Sequence, residues 1–414
     1  MYFCTPKSDR RLDFIPLLYM RKFLLFFLLY IGVLSASASN MDKVRVSLLT
    51  CAPGSEIYAL FGHSAIRYEN PDQQEDWVFN YGMFNFKEPN FVMRFVKGET
   101  DYQLGVIPFK YFEAEYALRG SSVYQQVLNL TNEEKESLIN LLKENYLPAN
   151  RVYRYNYFYD NCTTRARDKI EESIQGKVVY PESEKVVSFR SILHEFMVDS
   201  HWSEFGIDLC LGSEADEPID ERKQMFSPFY MLEYARGAMI HRADTIVPFV
   251  KEEKLLLDFS SKDEDVFEKD EDVFLPSPWA CALIWWVLTF VVTALGIKNG
   301  KVYWLWDILL FGAQGLAGCI IAFLFFFSIH PTVGSNWLLM ILNPLPLLYM
   351  PFMIYKAIKG KTDVFHVINT VVIITFIILM PIVQQKFNAT VLPLALNLLT
   401  CSVGHLIIYN RRKK

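Results

Sequence analysis

Two short polar segments carry the residues best suited to chemistry. One is Phe61-Gly62-His63-Ser64-Ala65-Ile66-Arg67-Tyr68; the other is Tyr159-Asp160-Asn161-Cys162-Thr163-Thr164-Arg165. Cys162 stands at the predicted junction of a strand and a helix. A thiol at a helix N-terminus feels the positive end of the helix dipole, which stabilises its thiolate. Free N–H groups at the same place offer an oxyanion hole for a tetrahedral intermediate. Asp160 or Asn161 would cap that helix. The bland alternative is a buried structural cysteine, but a setting of Asp, Asn and two Thr favours a nucleophile. His63 follows a glycine and opens a predicted strand, and Gly62 permits close approach of another backbone, expected to be a helix end. A histidine merely bonded to a carbonyl is the alternative there. Together the two residues make the minimal pair for thiol acyl transfer. A third group should orient the imidazole. Asn80, on the neighbouring Trp77–Tyr81 strand, is the first candidate and Asp160 the second.

The elements that must position this pair read as one α+β domain. Val44–Leu49, Ser64–Tyr68 and Trp77–Tyr81 alternate as strands, the last two joined by a polar turn over Glu69–Asp76. Asn132–Glu144 is an amphipathic helix, with Thr131 and Glu134 as a capping box. Tyr153–Tyr159 is an aromatic strand, Thr163–Ile174 a helix ending near Gly176, and 185–198 another helix. Domain limits are set at 1–39 for a signal peptide, 40–250 for the thiol-enzyme domain and 251–278 for a charged linker. A membrane domain follows at 279–410, with a basic tail at 411–414. The linker repeats Lys262–Phe267 as Lys269–Phe274, which reads as a solvated spacer rather than a docking motif.

Hydrophobic residues form 52% of the 414, and mean hydropathy is +0.15. The excess is concentrated near the start and in the last third. Five apolar runs, at 279–297, 303–328, 336–355, 364–383 and 390–409, each approach the ~20 residues that a spanning helix needs. With the soluble domain outside, the inward loops and tail carry Lys298, Lys301, Lys356, Lys359, Lys361 and Arg411–Lys414. The outward loops carry only Lys386, as the positive-inside rule requires. Asp307 is read as snorkelling or capping near the inner end of the second span, with His366 and His405 also inward. His330, Asn336 and Asn343 lie outward, where Pro344, Pro346 and Pro351 should bend the third span. They form either a capped interfacial loop or a polar notch that grips a lipid head group.

The net charge of -5 argues against a nucleic-acid partner. None of the seven cysteines forms a CxxC pair, so no metal site and no cofactor is expected. Cys51 and Cys210 are the pair that could bridge in an oxidising compartment.

His63 precedes Cys162 by about a hundred residues, the reverse of papain-type order. A Gly-His strand start with a later Asn-Cys helix start resembles the circularly permuted NlpC-type papain fold and the lecithin:retinol acyltransferase-like enzymes. A signal peptide, the FGHSAIRY, FNYGMFNF and YDNCTTRARD segments and five C-terminal spans together resemble the Lnb family. That resemblance implies N-acylation of bacterial lipoproteins, with Cys162 as nucleophile and His63 as base. It implies a membrane phospholipid or diacylglyceryl lipoprotein as acyl donor and a lipoprotein N-terminus as acceptor. The implied location is the bacterial inner membrane, with the catalytic domain periplasmic and the C-terminus cytoplasmic. Tyr58, Asn161, Arg165, His330 and Asn336 are expected to touch substrate. The rival readings are an NlpC-type cell-wall peptidase or amidase, active as a 41–250 fragment, and a non-catalytic lipid-binding protein.

Met20-Arg21-Lys22, the apolar Phe23–Leu34 and Ala36-Ser37-Ala38 form the signal peptide, with Met20 the expected true start. An uncleaved anchor is the alternative, and both export the following domain. N-terminal sequencing of the purified protein tests this. A mature chain should begin just after Ala38, and one still carrying Phe23–Leu34 would overturn the cleavage.

Overall fold

A computed structural model describes residues 41–413 except 55, 57, 58, 86, 88, 184 and 260–275. The expected signal peptide, Tyr58 and the tandem repeat lie outside the described residues. The N-terminal region is built on a seven-stranded antiparallel sheet of order β10-β5-β1-β2-β3-β4-β6. Its strands are β1 Arg45–Cys51, β2 His63–Asn70, β3 Glu75–Met83, β4 Asp101–Pro108, β5 Val123–Leu128, β6 Val152–Arg154 and β10 Val250–Leu257. A small sheet joins β7 Lys177–Val179, β8 Met239–His241 and β9 Ile246–Pro248.

Strand alternation divides the large sheet into two apolar faces. Leu48, Ile66, Phe79 and Tyr81 pack with Cys162, Ala166 and Ile170 of the Cys162–Ser173 helix. Leu49, Ala65 and Val78 face the other way, against Phe109, Phe112 and Tyr116 of the Phe109–Arg119 helix. The Thr131–Glu134 capping box is present at the start of the Asn132–Tyr146 helix, and Glu134 also pairs with Arg242.

Two segments differ from expectation. Of the aromatic run Tyr153–Tyr159 only Tyr153 and Arg154 are strand, at the end of β6. Asn156 Oδ1 accepts from the Phe158 and Tyr159 amides, and this side-chain turn ends the pairing. The charged stretch after 250 begins not as linker but as β10, an edge strand with Lys251–Lys254 facing water. Charge on an exposed edge discourages pairing with another chain.

The C-terminal region is helical: Pro278–Asn299, Trp304–Phe327, Leu345–Lys359, Val364–Leu379 and Val391–Lys413. Among the described residues four stretches are long and apolar enough to cross a membrane; Val364–Leu379 is apolar but shorter. The third stretch is broken as its prolines demand, a 3-10 turn over Trp337–Met340 preceding the Leu345–Lys359 helix. Gln314 Nε2 donates to the freed carbonyl of Ile341 at 2.6 Å.

The two regions are fastened together through a buried ionic knot. Arg190, 1% exposed, donates to Asp208 Oδ1 at 2.6 Å, to Asp216 Oδ1 at 3.0 Å and to the Leu211 carbonyl at 3.0 Å. The same carboxylates hold the membrane region. Asp216 Oδ2 accepts from the Lys386 amide and Asp208 Oδ2 from Asn388. Removing one member of a buried ion pair leaves a charge uncompensated and costs about 3–5 kcal/mol. Asp216→Ala should therefore lower the unfolding temperature of the detergent-solubilised full chain by several degrees. Arg236→Ala, which breaks the half-exposed pair with Glu253, should cost less than about 1 kcal/mol. Equal shifts would disprove the knot.

Candidate active site

His63 opens β2 and lies opposite Cys51 of β1. Gly62 before it has φ +76, and a Cβ there would meet the Cys51 carbonyl oxygen at 2.6 Å. The close approach that Gly62 permits is thus to a strand and not to a helix end. The neighbouring strand β3 pairs with β2 and carries Asn80 on the same sheet face as His63. His63 Nε2 donates to Asn80 Oδ1 at 2.5 Å. Asn80 is buried, 7% exposed. Asp160, the other orienting candidate, is engaged elsewhere. It forms an ion pair with Arg165 at 2.6 Å, and that guanidinium lies 3.5 Å over the Tyr153 ring.

Cys162 is the first residue of its helix, and Asn161 is the cap. Asn161 Oδ1 accepts from the Thr163 and Thr164 amides, and its Nδ2 donates to the Tyr157 and Phe226 carbonyls. Asn161 is therefore committed to the fold and has nothing left for substrate. Arg165 is likewise held by Asp160 and Tyr153. The expected oxyanion hole also narrows. With the Thr163 and Thr164 amides occupied, the helix-start donor left is the Cys162 amide, for which the described residues give no partner.

The thiol and the imidazole are near enough for each to shift the proton affinity of the other. Because Nε2 faces Asn80, Nδ1 is the ring atom left for sulfur. Two hydroxyls complete the surroundings. Thr163 Oγ1 is 3.8 Å from Cys162 Sγ and 3.1 Å from Ser64 Oγ. Both follow the reactive residues directly in sequence, a signal that could have been read. Gly82, at φ +87 beside a register shift between β3 and β4, lies against Cys162, with 3.7 Å between its would-be Cβ and the cysteine Cβ. A bulge at this point turns the strand end toward the thiol.

The electrostatics draw the proton affinities of the two groups toward one another. Burial pushes the Cys162 thiol up. The charge and hydrogen bond of His63, the Ser64 backbone and the Thr163 hydroxyl outweigh this and hold it at about 7. Burial pushes His63 down, but the thiolate charge, its hydrogen bond and Asn80 raise it above the usual imidazole range. Cys51 is the contrast, since burial drives its thiol far up. Cys51 and Cys210 are both free thiols, so the bridge considered for them is not formed.

His330 and Asn336 do not reach this site. His330 Nε2 donates to the Phe95 carbonyl at 2.7 Å, and Asn336 Nδ2 donates to the Leu209 carbonyl at 2.7 Å. Asn336 Oδ1 also caps the Trp337–Met340 turn. Both are joints between the two regions, not an open notch.

Family models agree with this two-part construction. The model described as the Lnb N-terminal periplasmic domain matches residues 35–194, and that of the Lnb transmembrane domain matches residues 268–413. The chain belongs to the Lnb family. No curated protein and no solved structure matches it. The Lnb periplasmic-domain match contains His63, Asn80 and Cys162. The Lnb transmembrane match contains all five apolar helices. Asp208, Asp216 and β10, which fasten and complete the Lnb periplasmic domain, lie between the two matches.

The pair sets the pH response. Thiolate, the reacting form, should appear as pH rises through about 7. Iodoacetamide labelling of Cys162, followed by mass spectrometry, should have its midpoint there. His63→Ala removes the lowering influence and leaves burial, so the midpoint should rise above the ordinary ~8.5 of a thiol. Labelling at pH 7 should fall roughly tenfold or more. An unchanged midpoint in His63→Ala would show that the imidazole does not activate the thiol.

Proposed function

We propose that this protein is a cysteine-dependent lipoprotein N-acyltransferase, built on a permuted papain-like domain carried by five membrane-spanning helices. The observation that carries the proposal is the activated Cys162–His63–Asn80 constellation in a domain fastened onto an apolar helical region. A soluble substrate would not need such an attachment. Holding the thiol over a bilayer raises its effective concentration toward substrates confined there. In this reading residues 40–257 form the periplasmic unit, the bilayer is the inner membrane, and the basic tail is cytoplasmic.

The first step acylates the enzyme. Cys162 Sγ attacks an ester carbonyl of a phospholipid or diacylglyceryl lipoprotein, forming a C–S bond. The Cys162 amide holds the oxyanion. As the C–O bond breaks, the leaving alkoxide takes the Nδ1 proton of His63 and departs as an alcohol. In the second step the N-terminal amine of a lipoprotein attacks the thioester, and neutral His63 accepts its proton. A C–N bond forms, the C–S bond breaks, and the thiolate–imidazolium pair returns.

A peptidase reading expected an active 41–250 fragment. That cut removes β10 from the large sheet, so the fragment that tests this reading must extend to Leu257.

Mass spectrometry of lipoprotein N-termini, in cells lacking the protein and complemented with variants, tests the proposal. Wild type should yield N-acylated termini, and Cys162→Ala or His63→Ala free amines. Asn80→Ala should acylate roughly 10²-fold more slowly, as expected for misplacing a reacting group by about 1 Å. Full N-acylation with Cys162→Ala would refute it.

A further inference from the structure

Within the helical region, Asp307, Cys401 and His405 converge. Cys401 and His405 are four residues apart on the Val391–Lys413 helix, so they share one face. Asp307 comes from the first turn of the Trp304–Phe327 helix. Asp307 Oδ1 lies 3.0 Å from His405 Nε2 and 3.2 Å from Cys401 Sγ. All three residues are buried, between 3% and 4% exposed. Asp307 neither snorkels nor caps, as the sequence had suggested.

The cluster is poorly balanced as a set of hydrogen bonds. Asp307 Oδ2 has no partner among the described residues. A carboxylate in an apolar helical bundle needs a positive charge nearby. Among the described residues its one ion-pair partner is His405, which is charged only when protonated; Lys301 makes no ion pair with it, and Lys356 is engaged by Asp363 and Tyr349. All three residues line a cavity of about 20 Å³, bounded also by Thr293, Lys301 and Tyr303. A site needs about 10–15 Å³ to hold one water molecule.

We propose that Asp307, Cys401 and His405 form a site for a divalent transition-metal ion of the zinc type. One oxygen, one sulfur and one imidazole nitrogen are a donor set that suits such an ion. Bonds of about 2.0–2.3 Å in a tetrahedron hold ligand atoms roughly 3.3–3.7 Å apart. The two separations from Asp307 need open by only a few tenths of an ångström, and all three ligand atoms lie within 4.8 Å of one another. The cavity leaves the fourth position to water. His366, whose ring stacks on His405 at 3.7 Å between centroids, braces the ligand from behind. Binding converts the Cys401 thiol to a thiolate and releases its proton. The dication then compensates both anionic ligands. The site is separate from Cys162 and would tie the Trp304–Phe327 helix to the Val391–Lys413 helix.

The test uses full-length protein in detergent, carrying Cys162→Ala so that the reactive thiol cannot report. After chelation it is titrated with Co²⁺ alone. The expected result is one Co²⁺ per chain, a near-ultraviolet thiolate-to-cobalt absorption, visible bands of tetrahedral intensity, and displacement by Zn²⁺. Cys401→Ser, close to isosteric, should abolish the near-ultraviolet band. His405→Ala should weaken binding at least tenfold. Failure of the Cys162→Ala protein to bind Co²⁺ or Zn²⁺ stoichiometrically would overturn the proposal, whether or not the further variants fold. Survival of the near-ultraviolet band in Cys401→Ser would overturn it as well.

Discussion

A thiolate at a site only 8% exposed is an expensive species. Burial alone would keep Cys162 protonated, as it keeps Cys51 on the adjoining strand. The difference is one imidazole. His63 supplies the positive charge, while the Ser64 backbone and the Thr163 hydroxyl add hydrogen bonds. Everything around the pair serves that contact. Asn80 fixes the ring, Gly62 lets β2 start hard against β1, and Asn161 fixes the helix start. The same fixing limits the site, because the cap occupies two backbone donors that would otherwise be offered to an oxyanion.

The second constraint is mechanical. In the proposed function the domain acts at a bilayer and must not swing freely over it. Arg190 meets this by binding two carboxylates that also grip the loop at Lys386–Asn388. His330 and Asn336 add joints at other points of the seam. The seam thus includes bonds to backbone carbonyls and buried charges beside the apolar packing of Leu209. Such bonds are directional, so they set an orientation as well as an affinity.

The proposed trio of Cys162, His63 and Asn80 was legible as a cluster because local rules govern its placement. A polar helix start flags Cys162, a glycine-led strand start flags His63, and strand adjacency flags Asn80. The strands β1 to β3 and the capped helices follow the same short-range logic. What escaped was non-local. Arg190, Asp208 and Asp216 are separate in sequence and carry no motif. His330 and Asn336 read as either a capped interfacial loop or a head-group notch; Asn336 does cap a turn, but sequence does not reveal that carbonyls of the other region face both residues. Asp307 was taken alone, since nothing in its neighbourhood points to a cysteine and a histidine about a hundred residues on. β10 was missed because an edge strand shows water one full side, and its charge run looks like a spacer.

The Asn80 bond to His63 has one more consequence. It ties up one ring nitrogen, so the imidazole has a single port for protons. In the proposed reaction the departing alcohol and the arriving amine must use that port from the same position. They cannot occupy it together. The donor's remnant has to clear before the acceptor enters, and the acylated enzyme must wait between the two visits. Turn-taking of this kind makes the protein a shuttle with a loaded and an unloaded state rather than a platform on which two substrates meet.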